Sequence, residues 1–337
     1  MISRHLTKEV SIGSVTIGGN NPIAIQSMTN TDTLDVNATV AQINALADAG
    51  CDIVRVTVPK PEAVEAFAQI KKQSRIPVVA DIHFDYRLAI GAIEAGADKI
   101  RINPGNIEGE DKLKQIIAKA KEKNIPIRIG VNAGSTTKDL VDHAVEYCEF
   151  FEQQNFTNIV LSLKSSSVQN TLDAYRRITK RRHYPLHVGI TEAGTEHYGI
   201  IKSSVGIGAL LAEGLGDTVR VSLTADPVKE IETARYILRS LGFLEMPELI
   251  SCPTCGRTEI NIIGIADEVE RRLKKIKKNI TVAVMGCVVN GPGEAAHADF
   301  GIAGGKGQGI LFAKGKKIKI VPEAELVNSL FELIAEE

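Results

Sequence analysis

The feature that most constrains this chain is a rhythm. A short apolar run, a polar or Gly/Pro break and an amphipathic segment recur eight times between about residues 23 and 240. The runs are Ile23–Met28, Ile53–Val58, Val78–His83, Lys99–Pro104, Ile127–Asn132, Ile159–Ser165, Leu186–Glu192 and Thr218–Thr224. Their length and β-branched content read as strands, and the segments between them carry helical spacing. Those helices are expected near 38–49, 61–72, 86–96, 110–123, 138–153, 168–181, 196–213 and 227–240. Pro61 suits a helix start, and Ala49-Gly50 and Ala95-Gly96 suit helix ends. Eight β-then-α units over roughly 220 residues match a TIM (β/α)8 barrel. An open doubly wound sheet is the alternative, but it seldom runs to eight repeats without a nucleotide fingerprint. Gly206-Ile-Gly208 lies within a helix-like segment and does not open one after a strand, so both glycines are assigned to packing.

Before the rhythm, Glu9 to Asn20 alternates apolar and polar residues around Gly13-Ser14, a β-hairpin signature. After about residue 241 the rhythm stops. The division expected is a barrel domain over 1–241, including the hairpin, and a small α+β domain over 242–337. In the latter, Asp267–Lys278 reads as a helix. Ile280–Met285, Phe300–Ala303, Gly309–Ala313 and Lys317–Val321 read as strands, the last two joined by a turn at Lys314, and 322–336 as a closing helix. Gly304-Gly-Lys306-Gly-Gln-Gly309 resembles a phosphate loop but lacks the Lys-Ser/Thr ending, so a flexible turn is expected.

Charged residues make up 24% of the chain and the net charge is −1, which offers no electrostatic case for nucleic acid or an anionic membrane. The N-terminus has no apolar signal region and no run is long enough to span a bilayer, so a cytoplasmic protein is expected. The basic run Arg176, Arg177, Arg181 and Arg182 reads as a solvated helix face.

Cations are set into the aliphatic strands. Arg55, Arg101, Arg128 and Arg220 each sit between β-branched residues, and Lys164 ends the sixth run. Alternate strands of a barrel supply one interior layer. Arg55, Arg101, Lys164 and Arg220, on the even strands, would therefore share a level, with Arg128 on the next. Thr57, Asn103 and Ser222 follow two residues on, on the same faces. Crowded, partly desolvated cations call for anions. Asp81, Glu192 and other acids could neutralise them, but the cations outnumber the acids at these strand ends. The pattern fits a pocket for a doubly phosphorylated small molecule. His83, with Asp81 at the end of the third strand, suits a hydrogen-bonded structural role. Glu192, at the end of the seventh, could act as acid or base beside bound phosphate.

Five cysteines in a reducing compartment suggest metal or catalytic use for some of them. Cys51 and Cys148 stand alone in helix-like or helix-end contexts and read as small core residues. Cys252-Pro-Thr-Cys255-Gly can bring two soft thiolates to one metal, and Cys287 follows at the end of a buried strand. Past it, Asn290-Gly-Pro-Gly forces a turn that presents Glu294. A zinc ribbon and an iron–sulfur centre both remain open on these residues, and His297 could close a zinc site.

Taken together, these motifs resemble the bacterial 4-hydroxy-3-methylbut-2-enyl diphosphate synthases of the methylerythritol phosphate route to isoprenoids. The resemblance covers essentially the whole chain. It rests on Ile25-Gln-Ser-Met-Thr-Asn-Thr-Asp-Thr, Val79-Ala-Asp-Ile-His-Phe-Asp-Tyr, Arg101-Ile-Asn-Pro-Gly-Asn, Gly189-Ile-Thr-Glu-Ala-Gly and the two cysteine motifs, of which Met285-Gly-Cys-Val-Val-Asn-Gly-Pro-Gly-Glu is the most specific. It implies a TIM barrel followed by a small domain holding a [4Fe–4S] cluster on Cys252, Cys255, Cys287 and Glu294. It further implies a homodimer with an active site shared between subunits, and two electrons from flavodoxin or ferredoxin. The implied reaction opens 2-C-methyl-D-erythritol 2,4-cyclodiphosphate and removes an oxygen as water. Arg55, Arg101, Arg128, Asn132, Lys164, Arg220 and Ser222 are the implied diphosphate contacts, Glu192 the proton donor, and Asn290 a neighbour of the unique iron.

Two other readings compete. One is a barrel aldolase or sugar-phosphate isomerase with a structural zinc ribbon and Lys164 as Schiff-base lysine. The other is a non-enzymatic metal protein whose barrel only binds a metabolite.

Overall fold

A computed structural model describes residues 2–132, 138–287 and 297–336. The chain divides into two units, Met1–Leu244 and Glu245–Glu337. In the first, a short hairpin, β1 (Val10–Ile12) and β2 (Val15–Ile17), precedes eight parallel strands: β3 (Ala24–Met28), β4 (Ile53–Thr57), β5 (Val78–Asp81), β6 (Lys99–Ile102), β7 (Ile127–Asn132), β8 (Ile159–Lys164), β9 (His187–Val188) and β10 (Thr218–Val219). Each is followed by a helix: α1 (Val36–Ala49), α2 (Glu62–Gln73), α3 (Tyr86–Glu94), α4 (Glu110–Glu122), α5 (Leu140–Gln153), α6 (Val168–Ile178), α7 (Glu196–Ala212) and α8 (Pro227–Ser240). The sheet runs in sequence from β3 to β8, and β10 pairs with β3 on one side and β9 on the other. A bridge from Leu161 to Leu186, with Leu161 N donating to Pro185 O at 2.8 Å, closes the cylinder.

Period two decides what each strand position does. Val54, Val56, Val78, Ala80, Ile100, Ile102, Ile127, Ile129, Leu161 and Leu163 pack in one cluster with the apolar faces of the helices. The intervening positions turn into the barrel. There Ala24, Ile53, Val79 and Val160 pack against Val10, Ile12 and Ile17 of the hairpin, which plugs the N-terminal end. Further along, the interior becomes polar with Gln26, Lys99 and His187, and then strongly cationic. Helix starts follow local chemistry: the Asp35, Asp85, Asp139 and Asp226 side chains accept backbone N–H groups at the starts of α1, α3, α5 and α8.

The seventh and eighth runs form much shorter strands than expected, His187–Val188 and Thr218–Val219. Glu192 therefore lies in a loop four residues past β9, with φ +52°, and not at a strand end. Of the two glycines assigned to packing, Gly206 meets Ile190, but Gly208 faces open space.

The second unit is a five-stranded sheet in the order β11 (Glu248–Ser251), β12 (Thr281–Met285), β13 (Phe300–Gly305), β14 (Gln308–Ala313), β15 (Lys316–Pro322), parallel over its first three strands and antiparallel over the rest. Strand β11 was not anticipated: its four residues are too short and too exposed to alternate clearly. One face packs on α9 (Ile262–Leu273) and α10 (Leu326–Glu336) through Val269, Leu273, Val282, Val284, Ile302, Leu330 and Ile334. Helix α9 starts five residues earlier than expected, because the Asn261 side chain caps it by accepting from Gly264 N. The phosphate-loop look-alike is a β-hairpin, with Gly304 opposite Gly309 and Gly307 at φ +68°. No helix among the described residues is long and apolar enough to cross a membrane.

Candidate functional site

Parallel register assembles the cations. Arg101 lies opposite Asp81 on one side and Arg128 on the other, while Asn132 lies opposite Lys164. All are buried or nearly so: Arg55, Arg101, Arg128 and Lys164 are exposed by 8, 9, 3 and 7%. Arg128, expected on a neighbouring level, has Arg55, Arg101 and Arg220 as its electrostatic neighbours, so one continuous cluster results.

Asp81 is the anchor. Its Oδ1 accepts from Arg101 Nη1 at 3.0 Å, and its Oδ2 lies 3.4 Å from Arg55 Nε. Burial alone would raise this carboxyl, but Arg55, Arg101 and Arg128 outweigh it and hold it at about 2. Desolvation acts on the cations in the opposite sense. Burial pulls the Arg55 guanidinium down to about 9, with Asp81 opposing and Arg220 and Arg101 adding to the fall. Burial, then Arg128 and Arg220, brings the Lys164 amine well below its usual range. Arg128 Nε and Nη1 are buried and make no hydrogen bond. Buried donors left unsatisfied are costly, and an anion would satisfy them.

Several residues of this cluster escaped the sequence reading. Lys99 is fully buried, donates to Gln26 Oε1 at 3.2 Å, and is brought well below its usual pKa by burial and then by Arg128. His187 Nδ1 lies 2.6 Å from Thr218 Oγ1. Glu230, on α8, is 5% exposed with Oε2 3.8 Å from Arg220 Nε. Lys99 could have been found from its place two residues before Arg101. Glu230 carries no such signal, since an acid in a helix ordinarily faces water.

Gly189 explains why the Gly189-Ile-Thr-Glu motif starts with glycine. A Cβ there would lie 2.2 Å from the Arg220 carbonyl oxygen and 2.8 Å from Lys164 Nζ. Only glycine lets the backbone come that close to both. Glu192 itself is exposed, as part of the loop after β9. Ser222 follows β10 by three residues and is half-buried, while His83 lies just past β5 beside Phe84.

The cysteines of the second unit sit where parallel strands end. Cys252 follows β11 directly, and its N–H donates to Val284 O at 3.2 Å. Cys287 lies two residues past β12, and the intervening Gly286 N donates to Cys252 Sγ at 3.2 Å. The chain turns back through Cys255, whose N–H donates to Thr258 Oγ1, and Glu259 N donates to Gly286 O. Cys255 is exposed, and the Arg257 backbone N–H lowers its thiol pKa, helped by the Arg257 charge. Among the described residues no three His, Cys, Asp or Glu side chains gather as a metal site. Asn290 and Glu294 lie outside the described residues. The donor set still fits a thiophilic centre. Two thiols share one end of the sheet, and the Gly286 N–H is directed at Cys252 Sγ, as it would be at a sulfur bound to metal. Cys51 and Cys148 are buried in the barrel unit, where desolvation pushes each thiol up to about 12.

The comparisons with known proteins agree with this division. Residues 7–235 match the GcpE TIM-barrel domain, and residues 248–336 match the GcpE protein C-terminal domain. The 4-hydroxy-3-methylbut-2-en-1-yl diphosphate synthase (flavodoxin) of Maridesulfovibrio salexigens is 57% identical, covering 100% of this chain and 97% of the relative. The enzyme of the same name from Caldanaerobacter subterraneus is 56% identical over 98% of this chain and 97% of the relative. Among solved structures, the N-acetylneuraminic acid synthetase of Leptospira borgpetersenii superposes with a TM-score of 0.54 at 16% identity. It covers 82% of this chain and 100% of that one, a likeness of fold alone.

Proposed function

The chain belongs to the GcpE family of 4-hydroxy-3-methylbut-2-en-1-yl diphosphate synthases, and from that premise we propose how its own residues carry the reaction. The substrate is the cyclic diphosphate of methylerythritol, opened and relieved of one oxygen as water with the uptake of two electrons. Arg55, Arg101, Arg128, Lys164 and Arg220 bind the diphosphate, and Asn132 and Ser222 orient it. The observation that carries this reading is the imbalance of charge: five buried or half-buried cations face only Asp81 and Glu230 within ion-pair distance among the described residues. A diphosphate supplies the missing anions, and each arginine fork offers it paired donors. Glu192, exposed on the loop after β9, gives a proton to the oxygen that leaves. Cys252, Cys255, Cys287 and Glu294 would hold a [4Fe–4S] cluster, with Asn290 beside it. When bound, that cluster delivers the electrons and offers an iron as Lewis acid. The relatives' names point to flavodoxin as donor; ferredoxin is the alternative. Anaerobically prepared protein should be brown and should turn over the cyclic diphosphate with reduced flavodoxin. Colourless, zinc-loaded protein without turnover would sink the reading.

We further infer a homodimer in which a cysteine-bearing unit of one copy serves the barrel of the other. Helix α8 runs antiparallel to the strands and returns the chain to the barrel's N-terminal face. The cations lie at the C-terminal face, on the order of 20–30 Å away. A mixture of Glu192→Gln and Cys287→Ser proteins, each inactive alone, should regain activity as subunits exchange. Exchange without recovery would exclude the shared site.

A further inference from the structure

Among the described residues, Glu230 is a buried acid of the barrel mouth that the chemistry above leaves without a task. It stands in the first turn of α8, whose start is fixed by the Asp226 cap and by Pro227. Its Oε2 accepts from Ser27 Oγ at 2.8 Å, its Oε1 accepts from Leu223 N at 2.9 Å, and Oε2 also lies 3.8 Å from Arg220 Nε. Arg220 Nε is buried and makes no hydrogen bond. Ser27 is on the helix-facing side of β3, and Leu223 is on the loop that follows β10. A single carboxylate thus ties a strand, a loop and a guanidinium at one point. A cavity of about 390 Å³ opens beside it, lined by Met28, Thr31, Thr57, Arg220 and Glu230 among others.

We propose that Glu230 is a positioning residue of the diphosphate site: its charge aims Arg220 into the mouth, and its bond to Leu223 N holds the loop that carries Ser222. This rests on the reading of Arg220 and Ser222 as diphosphate contacts. The need for such a residue is physical. Arg220 is surrounded by Arg55, Arg128 and Lys164, each of which repels it. A long side chain with many rotamers open to it would swing outward under that repulsion. A buried carboxylate behind it counters the repulsion without standing where the ligand binds. The Ser27 bond also anchors α8 to β3, and substitution separates that role from the positioning of Arg220.

Glu230→Gln is nearly isosteric. Its amide oxygen can still accept from Leu223 N and its amide nitrogen can meet Ser27 Oγ, so the principal loss is the charge facing Arg220. Affinity is read by calorimetry with two probes, the cyclic diphosphate and inorganic pyrophosphate. The set is wild type, E230Q, R220A and the double variant, each with its melting temperature. E230Q should weaken both probes about tenfold in the wild-type background and less than twofold in the R220A background, the coupling expected of residues in direct contact. Ser27→Ala, which removes only the anchor, should lower the melting temperature and leave both affinities unchanged. Equal weakening in the two backgrounds, or an E230Q protein that binds as tightly as wild type or tighter, overturns the proposal. Should E230Q not fold, Glu230→Asp, which keeps the charge on a shorter arm, enters the same cycle with the same expected signs. If wild type binds pyrophosphate but not the cyclic diphosphate, the substrate assignment fails, and the pyrophosphate cycle still decides the role of Glu230.

Discussion

The cations of the barrel and the thiols of the C-terminal unit occupy the same kind of place, the C-terminal ends of parallel strands, yet they are held in opposite ways. At the barrel mouth, register and closure force Arg55, Arg101, Arg128 and Lys164 into a desolvated cluster that Asp81 only partly neutralises. That arrangement carries a free-energy penalty, which accompanies the downward pull of burial on Arg55 and Lys164. In the C-terminal unit, Cys252 and Cys287 sit just past the ends of adjacent strands while Cys255 is exposed, and the described residues hold no assembled metal site. Charges cannot wait in a dry interior without a scaffold that overrides their repulsion. Thiols repel little while protonated, so they need no such scaffold, and the metal can complete the geometry on binding. On the proposed reading, the first region is a charged cluster that an anion would neutralise, and the second a set of thiols that a metal would draw together.

Substitutions should break this comparison in a definite order. The largest effect is expected at a proposed metal ligand. Cys287→Ser should abolish both the brown chromophore and turnover, whereas Cys51→Ser and Cys148→Ser should keep both, read by visible absorption and an anaerobic assay. A Cys287→Ser protein with a full cluster would remove that residue from the ligand set. Next comes Arg101→Ala, which should weaken binding of the cyclic diphosphate by about 2–5 kcal/mol in calorimetry, as for a desolvated charge pair. Unchanged affinity with an intact fold would dissolve the idea of a prearranged anion site. The smallest effect concerns Asp81 and acid. Its carboxyl is depressed from 3.8 to about 2. A depressed acid contributes stability that is complete above its unfolded value and lost as pH falls through the folded one. Between pH 4 and pH 2 the chain should therefore lose roughly 2 kcal/mol of unfolding free energy through this group. Urea titrations of wild type and Asp81→Asn should show a gap that closes over that interval; a gap constant with pH would mean that Asp81 acts by packing and not by charge.

Much of the barrel was legible because its signals are local. Alternation within four to six residues separated Val54 and Val56 from Arg55, and Ile100 and Ile102 from Arg101. The two-residue strands β9 and β10 were over-read. Ile190 and Val221 are buried as a strand would bury them, but the chain there has already left the ladder. Strand β11 and the true start of α9 were missed, the first because four half-exposed residues make no pattern, the second because Asn261 caps a helix that hydrophobic spacing alone set later.

What the sequence determined by itself is the order of strands and helices, the inward placement of the arginines, and the pairing of Cys252 with Cys255 in one turn. Each is written within a window shorter than one β/α unit. What only the tertiary structure decided is which groups meet across the barrel. Asp81 joins Arg55 to Arg101, Gly189 admits both Lys164 and the Arg220 carbonyl, and Glu230 reaches Ser27, 203 residues away in the chain. Those meetings depend on how far each strand is slid against the next and on the bridge at Leu161 and Leu186 that closes the cylinder. Local periodicity carries no record of either, because register is a property of pairs of strands and not of any one of them.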